Sequence, residues 1–300
     1  MGTDCCKKAS CLAHAATDFS HICLRRAEEY AALLAATPAR ASDYSFINLW
    51  GWAETYGLTW KFSDGLCWIR QERPAPALWA PVGPWDCIAW RRELIPDARL
   101  IRVPGPLAER LAGDLGAQVL EAREHWDYLY CVRELVELSG NRFHKKKNLL
   151  NQFRKLYDWT YSPLTADCVE QALELQDAWC LWRDCESDCT LVQENEAIYR
   201  VLTNWDRLPG LIGGALRVEG RMVAYTVAEA LDPDTLVIHF EKGHPEFKGV
   251  YQAVNQTFLE REAQLYRLVN REQDLGDEGL RKAKLSYNPV DFMKKCEVLL

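Results

Sequence analysis

The sequence predicts an α/β (α+β) protein of two successive units, each a mixed, largely antiparallel sheet flanked by helices. Three observations predict it. Residues 58–121 and 211–300 both run strand, strand, strand, helix, strand, helix, strand when hydrophobic period and turn signals are read along them. The 300 residues exceed one typical domain, and two copies of one unit fill that length without long structureless loops. Apolar residues make up 48% and charged residues 26%, the balance of a chain that can bury a core.

Helices over 23–36 and 46–56 lead into the first unit. Strands 58–62 and 66–70 flank the turn Ser63-Asp64-Gly65, and strand 76–81 follows. After Val82-Gly83-Pro84 come helix 85–94, strand 99–103, helix 106–112 and strand 118–121. The boundary falls near Arg123, giving units 1–123 and 124–300. Helices near 130–138, 142–157, 165–183 and 194–206 precede the second sheet. Strand 211–218 turns at Glu219-Gly220-Arg221 into strand 222–229, a hairpin. Past Asp232-Pro233-Asp234, the β-branched and aromatic run 235–241 makes a third strand. Tyr251, Val254, Phe258 and Leu259 have the spacing of a helix with one buried stripe over 251–263. Strand 266–270, helix 278–285 and a closing strand near 296–300 complete the second unit.

The net charge of −7 gives the whole chain no attraction for nucleic acid or an anionic membrane, so such binding needs a local basic patch. No apolar stretch reaches the ~18 residues of a membrane-spanning helix, and the start lacks the apolar core of a secretory signal. The expected location is therefore the cytoplasm. Twelve cysteines occur without a C-x-x-C pair and read as reduced core fillers. Two clusters, Cys5, Cys6, Cys11 with His14, and Cys180, Cys185, Cys189, fit no structural zinc spacing, so no metal is expected. Seven of the twelve tryptophans fall between Trp50 and Trp90, which reads as core or interface.

The strand and helix order, a three-strand meander, a loop to a helix N-terminus and then β-α-β, resembles the acyl-CoA N-acyltransferase (GNAT) superfamily. The strings Leu138-Ser-Gly-Asn-Arg-Phe-His-Lys-Lys-Lys-Asn148, His239-Phe-Glu-Lys242, Lys248-Gly-Val-Tyr251, Asn270-Arg-Glu-Gln-Asp-Leu-Gly276 and Leu280-Arg-Lys-Ala-Lys-Leu-Ser-Tyr-Asn-Pro289 are similar to the bacterial phosphatidylglycerol lysyltransferase C-terminal domain-like family. The resemblance covers residues 128–300 by motif and the first half by architecture. It implies tandem GNAT units and transfer of an aminoacyl group, with aminoacyl-tRNA as donor and a phospholipid headgroup or another small molecule as acceptor. The alternatives are an acyl-CoA-dependent N-acyltransferase and a phosphate-ligand or RNA-binding protein without turnover. Aminoacyl-tRNA or acyl-CoA would be a co-substrate, with no tightly bound cofactor. A lipid acceptor would bring the protein to the inner membrane face.

Strict alternation along 235–241 puts Val237, His239 and Glu241 on one face, where imidazole or carboxylate can take a proton from the acceptor. The active site is expected between this strand and the helix after Gly249, with Glu241 as the preferred base. The alternative is that Glu241 pairs with a neighbouring Lys or Arg and His239 is a satisfied core histidine. The loop containing Lys248 and Gly249 leads into Val250 and Tyr251 at a helix N-terminus, where free N–H groups can hold phosphate. The superfamily resemblance puts the donor's pyrophosphate or terminal phosphate there, although Gly249 is the lone glycine where acyl-CoA enzymes carry a Gly-rich turn. Arg142, His144, Lys145, Lys146 and Lys147 open a helix free of acidic residues, a phosphate or RNA contact or else a solvated face. Beyond the fifth strand, Arg271 and Asp274 with Arg281, Lys282 and Lys284 suit a charged substrate. Asp274 or Glu272 would take an amino group, Lys282 or Lys284 a phosphate, and Tyr287 would protonate the leaving group. A surface salt-bridge network is the competing reading.

Overall fold

Two-residue turns set the hairpins of Thr59–Ser63 with Leu66–Gln71 and of Leu211–Val218 with Arg221–Ala230. Asp64 and Gly65 take φ of 53° and 76°, and Glu219 and Gly220 take 51° and 82°. Successive positive φ values make the type I′ turn that matches the twist of antiparallel strands. The computed structural model describes residues 19–87 and 98–300.

The first half runs β1 (Ser20–His21), α1 (Ala27–Ala36), α2 (Phe46–Tyr56), β2 (Thr59–Ser63), β3 (Leu66–Gln71) and β4 (Ala77–Trp79). It continues with β5 (Arg99–Pro104), α3 (Gly105–Leu115) and β6 (Gln118–Glu121). Ser45 starts α2 by accepting the Asn48 N–H at 3.1 Å, and Gly57 ends it in the left-handed conformation. Of the helix expected over 85–94, Trp85–Cys87 is one 3₁₀ turn and the remainder lies outside the described residues, as does the Cys5, Cys6, Cys11 and His14 cluster.

The second half runs β7 (Asp127–Cys131), α4 (Val132–Glu137), α5 (His144–Leu156), β8 (Trp159–Pro163), α6 (Val169–Arg183) and α7 (Cys189–Leu202). Then come β9 (Leu211–Val218), β10 (Arg221–Ala230), β11 (Thr235–Gly243), α8 (Val250–Glu262), β12 (Leu268–Asn270), α9 (Glu278–Leu285), β13 (Asp291–Met293) and β14 (Lys295–Leu299). Part of the helix expected over 130–138 is therefore strand: Tyr128 and Tyr130 point the same way along β7 and are fully buried. Strand β8 was not expected. The helix expected to begin at 194 begins at Cys189, because the Asp188 carboxylate accepts the Thr190 N–H at 2.9 Å.

Two seven-stranded sheets result, ordered β1-β2-β3-β4-β5-β14-β6 and β13-β7-β12-β11-β10-β9-β8. Each has one parallel pair, β4 with β5 and β11 with β12, among antiparallel neighbours. This is the mixed, largely antiparallel, helix-flanked architecture the acyltransferase resemblance implies. One compact unit takes the chain up to His125 together with Lys294–Leu300, and the other takes Trp126–Met293. The closing strand expected in the second unit lies instead in the first sheet, between β5 and β6. In the second unit α8 is the central helix: Val250, Ala253, Val254, Phe258 and Leu259 pack with Leu236, Ile238, Val269 and Tyr130 of the sheet. Among the described residues no helix is long and apolar enough to cross a membrane.

Candidate functional site

Strand β11 pairs with β10 along almost its whole length but with β12 only through Thr235, Leu236 and Val237. Beyond Val237 the parallel strands part, and among the described residues no strand pairs that edge of β11. Across β10, Val227 faces Phe240 and Ala228 faces Ile238, so His239 is the extra residue of a β-bulge. The bulge resets the alternation. Leu236 and Ile238 lie in the core with α8, and past the bulge Glu241 also meets α8, accepting from Asn255 Nδ2 at 2.9 Å. Lys242 turns the other way, 2.8 Å from Glu194 of α7 and with its Nζ 3.8 Å from the centre of the Trp179 ring of α6. Simple alternation, which put His239 and Glu241 on one face, is corrected by this one-residue insertion.

His239 is clamped. Its side chain has no exposed surface, with Nδ1 2.9 Å from Glu272 Oε1 and Nε2 3.0 Å from Glu229 Oε1. Burial alone would lower its pKa, but the two carboxylates outweigh burial and push it up to about 9. At neutral pH it is an imidazolium with both N–H groups used, the satisfied core histidine of the competing reading rather than a free base. Glu241 is also paired: Arg271 Nη2 donates to Oε1 at 2.9 Å, Asn255 takes Oε2, and 7% of the side chain is exposed. Burial works against the Arg271 charge, yet Glu241 beside it holds its pKa above the ordinary arginine value.

Tyr287 completes this cluster. Its ring lies 4.9 Å from the Arg271 guanidinium on one contact and 3.9 Å from Lys146 Nζ on another, and its hydroxyl accepts from Gln252 Nε2 at 3.0 Å. Burial raises the phenol pKa. Burial, and then Arg271, lowers that of Lys146. Residues expected on separate grounds, Glu241, Arg271, Tyr287 and Lys146, thus converge from β11, the segment after β12, the exit of α9 and the first turn of α5. Gln252, Asn255 and Glu229 were missed. Asn255 sits on the buried stripe of α8, four residues after Tyr251 and three before Phe258, and a polar side chain on an apolar stripe was the available signal.

The other expected residues serve the loop that carries Arg271. Asp274 is fully buried; burial raises its pKa, but Arg281, bound through both oxygens at 2.8 and 2.9 Å, and Tyr128 at 2.6 Å bring it down to about 2. It cannot also take a substrate amine. Lys284 donates to the carbonyls of Arg271 at 2.5 Å and Gln273 at 2.6 Å, and burial brings its pKa down to about 8. Its donors are directed to backbone, not to a phosphate. Lys282 is exposed.

The expected phosphate cradle is closed on one side. Gly249 has φ of 82°, and a Cβ there would stand 2.2 Å from the Leu149 carbonyl oxygen of α5. The Lys248 N–H is given to Tyr157 Oη at 3.2 Å and the Val250 N–H to the Phe247 carbonyl at 3.1 Å. The Tyr251 hydroxyl accepts from Trp179 Nε1 at 2.9 Å. On the basic run, Arg142 pairs with Glu134 at 2.6 Å and His144 lies 3.4 Å from Asn148, while Lys145 and Lys147 are exposed. Among the described residues no group of three or more His, Cys, Asp or Glu side chains is placed to hold a metal ion.

The whole architecture recurs in known structures. A conserved protein of unknown function from Bacteroides thetaiotaomicron is 32% identical with a TM-score of 0.88, over 94% of this chain and 99% of that one. The C-terminal domain of a putative lysylphosphatidylglycerol synthetase from Agrobacterium fabrum shares the fold at 13% identity and a TM-score of 0.63, over 92% of both chains. An uncharacterised protein of Mycoplasmoides gallisepticum is 25% identical over 170 residues, 56% of this chain, and the match spans about half (54%) of that curated relative. Residues 34–296 match the C-terminal family of phosphatidylglycerol lysyltransferases, and the chain belongs to that family.

Proposed function

We propose that the protein is an aminoacyl transferase that takes its aminoacyl group from aminoacyl-tRNA and passes it to a small acceptor, a phospholipid headgroup being the acceptor class that the family name suggests. One observation carries the choice of donor. An acyl-CoA enzyme of this fold would use the N-terminus of α8 for the donor diphosphate. Here Gly249 lies under the Leu149 carbonyl, whose negative end repels phosphate, and two neighbouring N–H groups are already bonded. That disfavours acyl-CoA and leaves a donor recognised elsewhere. The unpaired edge of β11 beyond Val237 offers N–H groups to the oxyanion that develops when the acyl carbonyl is attacked, with Arg271 supplying positive charge nearby.

The test is transfer itself. Purified protein is mixed with tRNA charged with radiolabelled amino acids and with phosphatidylglycerol vesicles, and label is counted in the organic phase. Label in the lipid, and no calorimetric binding of CoA or acetyl-CoA, is expected. Tight CoA binding with no transfer from charged tRNA would replace this reading by the acyl-CoA one.

A further inference from the structure

Most titratable groups at the site have their protons or lone pairs engaged by neighbouring side chains or backbone. His239 holds a proton between two carboxylates. Glu241 has both oxygens hydrogen-bonded, one of them by the Arg271 guanidinium and the other by Asn255. The Tyr287 phenol is kept protonated by burial, and Lys284 is spent on two carbonyls. Lys146 differs from all of them. It is half-buried, sits 3.9 Å over the Tyr287 ring beside Arg271, and has no carboxylate partner among the described residues.

We propose that Lys146, in its neutral amine form, is the proton acceptor of the transfer reaction. The inference rests on the transferase reading and names the base for that same site. The groups that face it are Arg271, from the segment after β12, and Tyr287, from the exit of α9; Arg142, Lys145 and Lys147 share its own helix end. Burial, and then the Arg271 guanidinium, favour the uncharged amine, against the attraction of the Tyr287 ring face for the ammonium. As the acceptor oxygen or nitrogen bonds to the acyl carbon, its proton passes to Lys146 Nζ. As the ester bond to the tRNA ribose breaks, that proton returns to the leaving ribose oxygen, so the cycle consumes and releases none.

A phosphate-binding lysine and a basic lysine respond oppositely to arginine, which keeps the charge and cannot be deprotonated. Lys146→Arg and Lys146→Met are both expected to lose ~10²–10⁴ in kcat with KM little changed, and to lose the rise of kcat with pH that is expected of the wild type. Competitive acetic anhydride labelling, read by peptide mass spectrometry, follows the amine without any turnover. Lys146 is expected to titrate below Lys145 and Lys147. Wild-type rate in Lys146→Arg, or a labelling midpoint level with its neighbours, would overturn the proposal and leave a phosphate contact. A wild type that transfers nothing, with the Lys146 midpoint still depressed, would instead overturn the transferase reading and the basic role with it.

Discussion

His239 shows how two carboxylates decide the state of one side chain. In the unfolded chain an imidazole titrates near ~6.5, and in the fold Glu229 and Glu272 push it up to about 9. The folded value is the higher one, so the stabilisation is full below pH ~6.5 and is lost as pH rises through about 9. His239→Gln should therefore cost about 2–4 kcal/mol near pH ~6, with the gap to wild type closing towards pH ~9.5. Hydrogen exchange of the β10 and β11 amides measures it, and a gap constant across that range would mean a neutral imidazole in the fold. The same side chain marks a limit of sequence reading. Glu241 and His239 were visible as chemistry-bearing residues of one strand, but the bulge that separates their faces is a matter of pairing with β10, which alternation along a single strand cannot reveal.

At the scale of elements, α5 and α8 carry the decisive contact. Gly249 permits a positive φ and a backbone approach to Leu149 that any side chain would block. Gly249→Ala should destabilise the second unit by about 2–4 kcal/mol, through strain at φ of 82° and a clash that backbone must absorb. A fall in the thermal midpoint checks it, and an unchanged midpoint would show that α5 does not press on this loop. Elements whose stability is local were legible: α9 was expected over 278–285 and spans Glu278–Leu285, since Asp277 caps it by accepting the Leu280 N–H. The hairpin β9–β10 was legible from Glu219-Gly220 for the same reason. The strands β7, β8 and β13 were not. Strand β7 runs directly into α4 at Val132, so its residues read as part of that helix. Strands β8 (Trp159-Thr-Tyr-Ser-Pro163) and β13 (Asp291-Phe-Met293) lack the apolar run that marked the short β4 and β12.

At the scale of the whole molecule, chain order and sheet order part company. In both sheets the parallel pair ends one residue before a largely buried arginine: Trp79 faces Ile101 ahead of Arg102, and Val237 faces Asn270 ahead of Arg271. Arg271 faces the polar cluster of the candidate site. Arg102 is instead locked to Asp43, and the same carboxylate takes Lys295 of β14, all three nearly or fully buried. The first unit therefore keeps the arginine as part of its core, and the last strand of the chain supplies a member of that cluster. Asp43→Asn would remove the carboxylate that two buried cations share and should cost about 3–5 kcal/mol in the first unit, with little effect on the midpoint of exchange in β9–β11.

Strand β14 makes the stronger prediction. It lies inside the first sheet, with Cys296 facing Val103 on one side and Glu121 on the other, and Val298 fully buried. An interior strand satisfies backbone groups on both of its neighbours, so its loss exposes two edges at once and removes Lys295 from Asp43. A chain ending at Met293 keeps every residue of the second unit and yet should lose hydrogen-exchange protection in Leu100–Val103 and Gln118–Glu121, while β10 and β11 stay protected. Val298→Pro, which removes one N–H and fixes φ without shortening the chain, should act in the same direction more weakly. Retained protection in β5 and β6 after the truncation would show that the first sheet closes without its final strand. The pattern of 296–300 identified a strand but not its partner, because hydrophobic alternation specifies a face to bury and is silent on which of two sheets buries it.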